Sequence, residues 1–94
     1  MSNATIWFNG EFRKSEDCTV HIYSHALHYG SSVFEGIRAY ETPGGTAIFR
    51  GMDHLRRLKY SAGVYRIPLK YGVEELHEAC RETVKANGLA SAYI

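Results

Sequence analysis

Residues Ser24 to Tyr40 read S-H-A-L-H-Y-G-S-S-V-F-E-G-I-R-A-Y, and this stretch decides how the rest of the chain is interpreted. From Ser32 onward the residues alternate with a period of two, which is the period of a β-strand. One face of that strand carries Val33, Glu35, Ile37 and Ala39, and the other carries Ser32, Phe34, Gly36, Arg38 and Tyr40. The alternation therefore predicts a long strand from Ser32 to Glu41.

The second face of this predicted strand combines aromatic rings, a glycine and a cation. Phe34 offers apolar surface, Gly36 lets a flat ligand approach the backbone, and Arg38 supplies a fixed positive charge. This composition suits the wall of a ligand pocket. It also suits an ordinary edge strand with a solvated arginine, and the spacing alone does not separate the two interpretations.

The residues before this stretch indicate a hairpin and a loop. Thr5 to Phe8 is rich in β-forming residues, and the Asn9-Gly10 dipeptide after it favours a type I′ turn, so Glu11 to Lys14 is the return strand. Thr19 to Tyr23 is a further β-prone segment. Ser24 to Gly30 has no strict period and is interpreted as a loop or a single helical turn.

The residues after this stretch indicate a second hairpin and then helices. Thr42 to Gly45 is a glycine-rich turn, and Thr46 to Arg50 returns from it. The period then changes to about 3.6, which predicts a helix from about Asp53 to Val64. Its apolar stripe consists of Met52, Leu55, Leu58, Ala62 and Tyr65.

A second helix is predicted from Val73 to Asn87, with Gly88 as the left-handed residue that follows its end. Leu89 to Ile94 begins another strand, and the chain ends inside it, which suggests the first part of a longer protein. The predicted fold class is α+β: an antiparallel sheet of two hairpins plus a further strand, covered by two helices.

A polar stripe lies beside the apolar one on the first predicted helix. His54, Arg57 and Ser61 are spaced three and four residues apart, so they share one flank of the helix. Because this flank adjoins the buried stripe, we expect an anionic or hydrogen-bonding group to lie against it.

Length and composition limit the class of protein. The chain has 94 residues, which suits one domain, taken as residues 5–94 after a tag or disordered start at residues 1–4. A net charge of +1 gives no electrostatic case for nucleic acid or an anionic membrane surface. No apolar run is long enough to span a membrane. Cys18 and Cys80 lie far apart and no export signal is present, so we expect reduced thiols in a cytoplasmic protein.

The run H-Y-G-S-S-V-F-E-G-I-R-A-Y resembles the start of the branched-chain amino acid aminotransferases, which are pyridoxal-phosphate enzymes of fold type IV. The resemblance continues through I-W-F-N-G-E-F, F-R-G-M-D-H-L-R-R-L, S-A-G-V-Y-R-I-P and A-Y-I, and so covers nearly the whole chain. It implies the N-terminal small domain of an enzyme that moves an amino group between leucine, isoleucine or valine and 2-oxoglutarate. D-amino acid aminotransferases and aminodeoxychorismate lyases share the general layout and are the alternatives within the fold type.

The resemblance implies roles for single residues. Arg57, in H-L-R-R-L, matches the arginine that binds the cofactor phosphate in this family. Four positions match residues on the substrate side of the site: Phe34, Gly36, Arg38 and Tyr93, of which Tyr93 is expected near the substrate carboxylate. Tyr29 matches a tyrosine that reaches into the neighbouring subunit's pocket, which implies a homodimer or a higher oligomer. Arg38 has an alternative interpretation as a structural partner of Glu35 or of a backbone carbonyl.

The chain carries no lysine in a setting suited to catalysis. A pyridoxal-phosphate aminotransferase needs a lysine that binds the cofactor covalently and moves a proton. Lys14, Lys59, Lys70 and Lys85 all lie at polar positions of the predicted elements, where nothing lowers a lysine pKa. The resemblance places that lysine in the following domain, so no catalytic residue is assigned here and the segment alone is expected to be inactive.

The histidines support a different class of function. His21, His25, His28 and His54, with two cysteines, are compatible with a metal-binding module, although their spacing does not match a preformed zinc site. Hydrogen-bonded structural histidines are the favoured interpretation, and no metal ligand is assigned. A small interaction module that binds through exposed tyrosine and tryptophan is the third class.

Overall fold

The computed structural model describes residues 4–94, and these group into two compact units with the boundary between Ser32 and Val33. The tag or disordered start predicted for residues 1–4 lies outside the described residues except for Ala4. The backbone carbonyl of Ala4 accepts a hydrogen bond from the Ser15 N–H at 2.9 Å. The length of the chain predicted one domain, residues 5–94, and this stays a prediction.

The first unit contains the predicted hairpin. Strand β1 (Thr5–Phe8) pairs antiparallel with β2 (Glu11–Lys14), and Trp7 faces Phe12 across the pair. Asn9 and Gly10 connect the strands with φ of 52° and 91°. Positive φ at both positions is the geometry that Asn-Gly supports at low cost, which confirms the hairpin prediction.

The rest of the first unit is less regular than the sequence predicted. A 3₁₀ turn covers Ser15–Asp17, and a short helix, α1, covers His25–Tyr29 within the segment read as a loop or helical turn. Thr19 to Tyr23 forms no strand, so that prediction is wrong. A β-prone sequence becomes a strand only beside a hydrogen-bonded neighbour, and the described residues provide none here: Ile22 and Tyr23 are 69% and 81% exposed.

The second unit contains a three-stranded antiparallel sheet in the order β4-β3-β5. Its strands are β3 (Arg38–Thr42), β4 (Gly45–Ile48) and β5 (Ala92–Tyr93). The predicted long strand from Ser32 begins only at Arg38, because no strand within residues 4–94 pairs with residues 32–36. Ile37 exchanges backbone hydrogen bonds of 2.9 and 2.7 Å with Ile94.

The predicted alternation persists even where the strand does not form. Ile37 and Ala39 are buried at 3% and 2% exposure, and Val33 and Glu35 are half-buried. Phe34 and Arg38, on the other face, are exposed. An extended backbone turns successive side chains to opposite sides whether or not it is hydrogen-bonded. The pattern thus places Glu35 on the same side as the core.

Two long helices complete the second unit. Helix α2 (Gly51–Val64) begins two residues earlier than predicted, after Arg50 in the left-handed region, and α3 (Val73–Ala86) ends one residue earlier. A Cβ at Gly51 would lie 2.7 Å from Cδ2 of His77, so glycine allows α3 to approach the start of α2. The buried apolar residues are Ile37, Ala39, Leu55, Ala62, Leu76 and Val84.

Most helix predictions are confirmed and one is wrong. Leu55 and Ala62 are buried as the periodicity predicted, Leu76 and Val84 are the buried residues of α3, and Gly88 adopts φ of 63° after that helix. Tyr65, assigned to the apolar stripe, is 63% exposed because α2 ends at Val64. The α+β class is confirmed, with two hairpins, a further strand and two long helices; the hairpins lie in separate sheets and not in the single sheet that was predicted. No helix within residues 4–94 has the length and apolar character needed to cross a bilayer.

Candidate functional site

Two of the three residues of the polar stripe of α2, His54 and Arg57, converge on one carboxylate, that of Glu35. Nε of Arg57 donates to Oε2 at 2.7 Å, and Nη2 donates to Oε1 at 2.7 Å. Nδ1 of His54 lies 2.8 Å from the same Oε1 and serves as a donor, because a carboxylate only accepts. We call Glu35, His54 and Arg57 the Glu35 cluster. The cluster joins the core-facing side of the alternating stretch, residues 32–41, to the polar flank of α2.

The Glu35 carboxylate is held in its ionised form. Its side chain is 6% exposed, whereas that of Arg57 is 67% exposed. The hydrogen bonds from Arg57 and then from His54, with the positive charge of Arg57, lower the pKa of Glu35 from 4.5 to about 2, although burial opposes this shift. Glu35 in turn raises the pKa of the Arg57 guanidinium. At neutral pH the cluster contains a bidentate, charge-assisted ion pair.

This pKa shift predicts that acid destabilises the second unit. The pKa of Glu35 is lower in the folded than in the unfolded chain, so its contribution to the free energy of unfolding is complete above pH 4.5 and is lost as the pH falls from 4.5 toward about 2. We expect an NMR titration of the glutamate carboxyl carbons to show Glu35 still ionised below pH 4.5, the ordinary pKa of a glutamate. A Glu35 resonance that titrates near pH 4.5 would contradict the geometry of the cluster.

The outer edge of Arg57 is available to a second anion. A guanidinium carries N–H donors on two edges, and Glu35 uses the edge formed by Nε and Nη2. The edge formed by Nη1 and the second Nη2 hydrogen is not used by any hydrogen bond within residues 4–94. A groove of about 390 Å³ lies beside Arg57 and is also lined by Phe49, Arg50, Asp53 and His54. The groove is large enough for a phosphate group, and Arg57 is one of the residues that line it.

Arg56, the neighbour of Arg57, has a different setting. It faces Asp53 at 3.4 Å in a surface pair whose side chains are 63% and 52% exposed. Asp53 also accepts from Nε of Arg50 at 2.9 Å, which lowers the pKa of its carboxyl. Both Arg56 and Arg57 lie on α2. Of the two, only Arg57 is held by Glu35, whose side chain is shielded from solvent although its backbone is not.

A second group of predicted site residues meets on the opposite face of the alternating stretch. Arg38 pairs with Tyr93 across β3 and β5, and its Cζ lies 5.3 Å from the centre of the Tyr93 ring. A Cβ at Gly36 would overlap the Tyr93 hydroxyl oxygen and lie 3.0 Å from its Cζ. The open space beside Gly36 is therefore taken by the Tyr93 ring, and the partner of Glu35 is Arg57 rather than Arg38.

The remaining predicted site residues are exposed and have no such grouping. Phe34, on the same face as Gly36, is 84% exposed. Tyr29 belongs to the first unit, where it is 74% exposed and its ring centre lies 4.6 Å from that of His25. These two residues are surface side chains of the described chain, and their predicted roles remain predictions.

The histidines and cysteines take part in other interactions. Nδ1 of His21 accepts from the Tyr23 N–H at 3.0 Å, and Nε2 of His28 donates to the Ile22 carbonyl at 2.8 Å. Residues 4–94 contain no group of three or more metal-binding side chains. Cys18 and Cys80 are free thiols, and burial raises the pKa of Cys80. The lysines of the chain are all exposed.

Glu35 is the functional candidate that the sequence interpretation missed. The signal was present, because the alternation put a carboxylate on the aliphatic face of the stretch and the polar stripe of α2 required an anionic neighbour. The pair spans 22 positions in sequence. Only the packing of the stretch against α2 joins the two signals.

Comparison with known proteins finds close relatives over almost the whole chain. The branched-chain-amino-acid aminotransferase of Salmonella typhimurium is 54% identical over 89 residues, which is 95% of this chain and 29% of the relative. That of Pseudomonas aeruginosa is 48% identical over 92 residues, or 98% of this chain and 30% of the relative. No family model matches. The chain spans less than one third of the length of these relatives.

Solved structures agree with the sequence comparison. The branched-chain amino acid aminotransferase of Escherichia coli matches with a TM-score of 0.92 at 49% identity, over 99% of this chain and 30% of that one. The enzyme of Thermobaculum terrenum, solved in its PLP-form, matches with a TM-score of 0.81 at 34% identity, over 99% of this chain and 32% of that one. The likeness thus extends to a protein solved with its cofactor bound.

Proposed function

We propose that this chain, which matches branched-chain amino acid aminotransferases over 95% to 98% of its length, forms the N-terminal small domain of such an enzyme and binds the phosphate of pyridoxal 5′-phosphate through Arg57. The observation that carries the proposal is the geometry of the Glu35 cluster. Arg57 is fixed on its inner edge by two bonds of 2.7 Å and remains 67% exposed. Such an arginine can bind an oxyanion without giving up its structural partner.

The chemistry of the ligand matches the site. A phosphate monoester carries close to two negative charges near neutral pH, and its oxygens can accept two parallel N–H bonds from one guanidinium edge. The outer edge of Arg57 supplies such donors, and the adjoining groove is also lined by Arg50, whose charge is paired with that of Asp53 at 2.9 Å. When bound, the cofactor supplies the electron sink on which transamination depends.

The second group of residues would serve the substrate side. We propose that Gly36, Arg38 and Tyr93 form part of the wall against which the substrate carboxylate lies. Phe34 would supply apolar surface for the side chain of the substrate. The contact of the Arg38 guanidinium with the Tyr93 ring, at 5.3 Å, keeps a cation and a phenol side by side. A carboxylate can accept hydrogen bonds from both.

The complete enzyme would use substrates and partners that the segment does not contain. We propose leucine, isoleucine or valine and 2-oxoglutarate as the amino acid and 2-oxo acid, with the catalytic lysine in the following domain. Tyr29 would reach the pocket of a second subunit, which makes the enzyme a homodimer or a higher oligomer. The free thiols of Cys18 and Cys80 support a cytoplasmic location.

The proposal predicts a clear difference between the full-length protein and the segment. We expect the full-length protein to transfer the amino group of leucine, isoleucine and valine to 2-oxoglutarate after addition of pyridoxal phosphate, measured as glutamate formed. The 94-residue chain should form no glutamate, because its four lysines are exposed. The assay also includes D-alanine, the substrate class of an alternative family. Full-length activity with D-alanine but not with the branched-chain substrates would refute the proposed substrates.

A further inference from the structure

We infer that Glu35 is a positioning residue for cofactor binding, which holds the guanidinium of Arg57 so that its outer edge meets the phosphate. The inference rests on the proposed function, because it gives Glu35 its role through the phosphate site. Glu35 itself does not contact the ligand.

The first support is the difference in burial across the ion pair. The Glu35 side chain is 6% exposed and the Arg57 side chain is 67% exposed, so the acid is fixed and the arginine extends from it toward solvent. An exposed arginine normally samples many rotamers, and binding must restrict them. A side-on bond to each carboxylate oxygen sets the plane and direction of the guanidinium before any ligand arrives.

The second support is that the acid is itself held in place. Nδ1 of His54 lies 2.8 Å from the Oε1 that also accepts from Nη2 of Arg57. His54 and Arg57 stand one turn apart on α2, so one helix holds the carboxylate at two points. The backbone beside Glu35 is fixed in turn, because Ile37 is hydrogen-bonded to Ile94 in both directions.

The negative charge of Glu35 makes it possible to distinguish positioning from a purely electrostatic effect. A carboxylate beneath a phosphate-binding arginine repels the phosphate, so electrostatics alone predicts that a neutral Glu35 would tighten binding. Positioning predicts the opposite, since the loss of Glu35 frees the guanidinium. The direction in which the Kd of the phosphate ligand changes on loss of the Glu35 charge therefore distinguishes repulsion from positioning.

The test uses Glu35→Gln in the full-length enzyme, with Glu35→Asp as a second variant that keeps the charge on a side chain one methylene shorter. Titrations measure the Kd of pyridoxal phosphate and of pyridoxal, which lacks the phosphate. We expect Glu35→Gln to raise the Kd of pyridoxal phosphate about 5-fold to 30-fold and Glu35→Asp to raise it about 3-fold to 10-fold. The Kd of pyridoxal should change less than about 2-fold in both variants. Glu78→Gln, the same change at an exposed acid on α3, should match wild type for both ligands.

A second arm places Glu35→Gln in an Arg57→Ala background. If Glu35 acts through Arg57, the double variant should bind pyridoxal phosphate as Arg57→Ala does, with no further loss. Tighter binding by Glu35→Gln, equal losses for the two ligands, or a full additional loss in the Arg57→Ala background would each overturn the inference. If wild type does not distinguish pyridoxal phosphate from pyridoxal, or if Arg57→Ala binds as wild type does, the proposed phosphate site fails and the inference fails with it.

Discussion

Replacing Arg57 with alanine is expected to weaken pyridoxal phosphate binding by the full-length enzyme about 30-fold to 1000-fold. The substitution removes both guanidinium edges, so the phosphate loses a bidentate contact and Glu35 loses its partner. Arg57→Lys should recover only part of the affinity, because an ammonium cannot bond to Glu35 side-on and present a second planar edge. Spectroscopic titration of the apoenzyme measures the effect, and circular dichroism verifies that each variant is folded.

The matched control is Arg56→Ala, one residue away on the same helix. Arg56 makes only an exposed pair with Asp53 at 3.4 Å, and such pairs contribute little. We expect its cofactor affinity to stay within about 2-fold of wild type. An Arg56→Ala variant that loses the cofactor, or an Arg57→Ala variant that keeps it, would show that the phosphate is not bound by the outer edge of Arg57.

Replacing Gly36 with alanine is expected to lower kcat/KM for leucine about 10-fold to 100-fold while the protein stays folded. The new Cβ would overlap the Tyr93 hydroxyl, and the neighbour that must move is the end of a side chain that is 69% exposed. The Tyr93 ring can therefore swing toward solvent without disturbing the core. That movement also separates it from Arg38, which stands 5.3 Å from its centre.

The control for Gly36→Ala is Gly63→Ala. Gly63 lies in α2, and a Cβ there would meet nothing within 4 Å, so alanine should leave activity unchanged and stabilise the helix by about 0.5 to 1 kcal/mol. Activity and the melting temperature are measured together. If Gly36→Ala unfolds the protein, Gly36 serves the fold; if it acts like wild type, the position of Tyr93 does not matter for the reaction.

Local sequence patterns predicted those parts of the fold that depend on near neighbours. The Asn9-Gly10 turn, the two long helices and the burial of Ile37 and Ala39 follow from turn chemistry and periodicity, which act within a few residues. Strand limits were predicted less well, because a strand exists only where a partner lies beside it. Residues before Ile37 have none in the described chain, and Thr19 to Tyr23 has none either.

The candidate site was predicted in parts. The polar flank of α2 and the inward direction of Glu35 were both readable from spacing, but their meeting depends on contacts between residues 22 positions apart. The overlap of Tyr93 with the space beside Gly36 depends on the pairing of β3 with β5, which no local pattern indicates. Spacing indicated a pocket wall at Phe34 and an anionic or hydrogen-bonding neighbour beside Arg57, whereas the cofactor phosphate at Arg57 and the role of Tyr29 came from resemblance to a family.

The most direct test of the account is a crystal structure of the full-length enzyme with pyridoxal phosphate. The account predicts Nη1 and Nη2 of Arg57 at about 2.7 to 3.0 Å from two phosphate oxygens. It also predicts that Nε and Nη2 keep their bonds of 2.7 Å to Glu35. A phosphate bound by Arg50 or by residues of another domain, with no oxygen within hydrogen-bonding distance of Arg57, would contradict it.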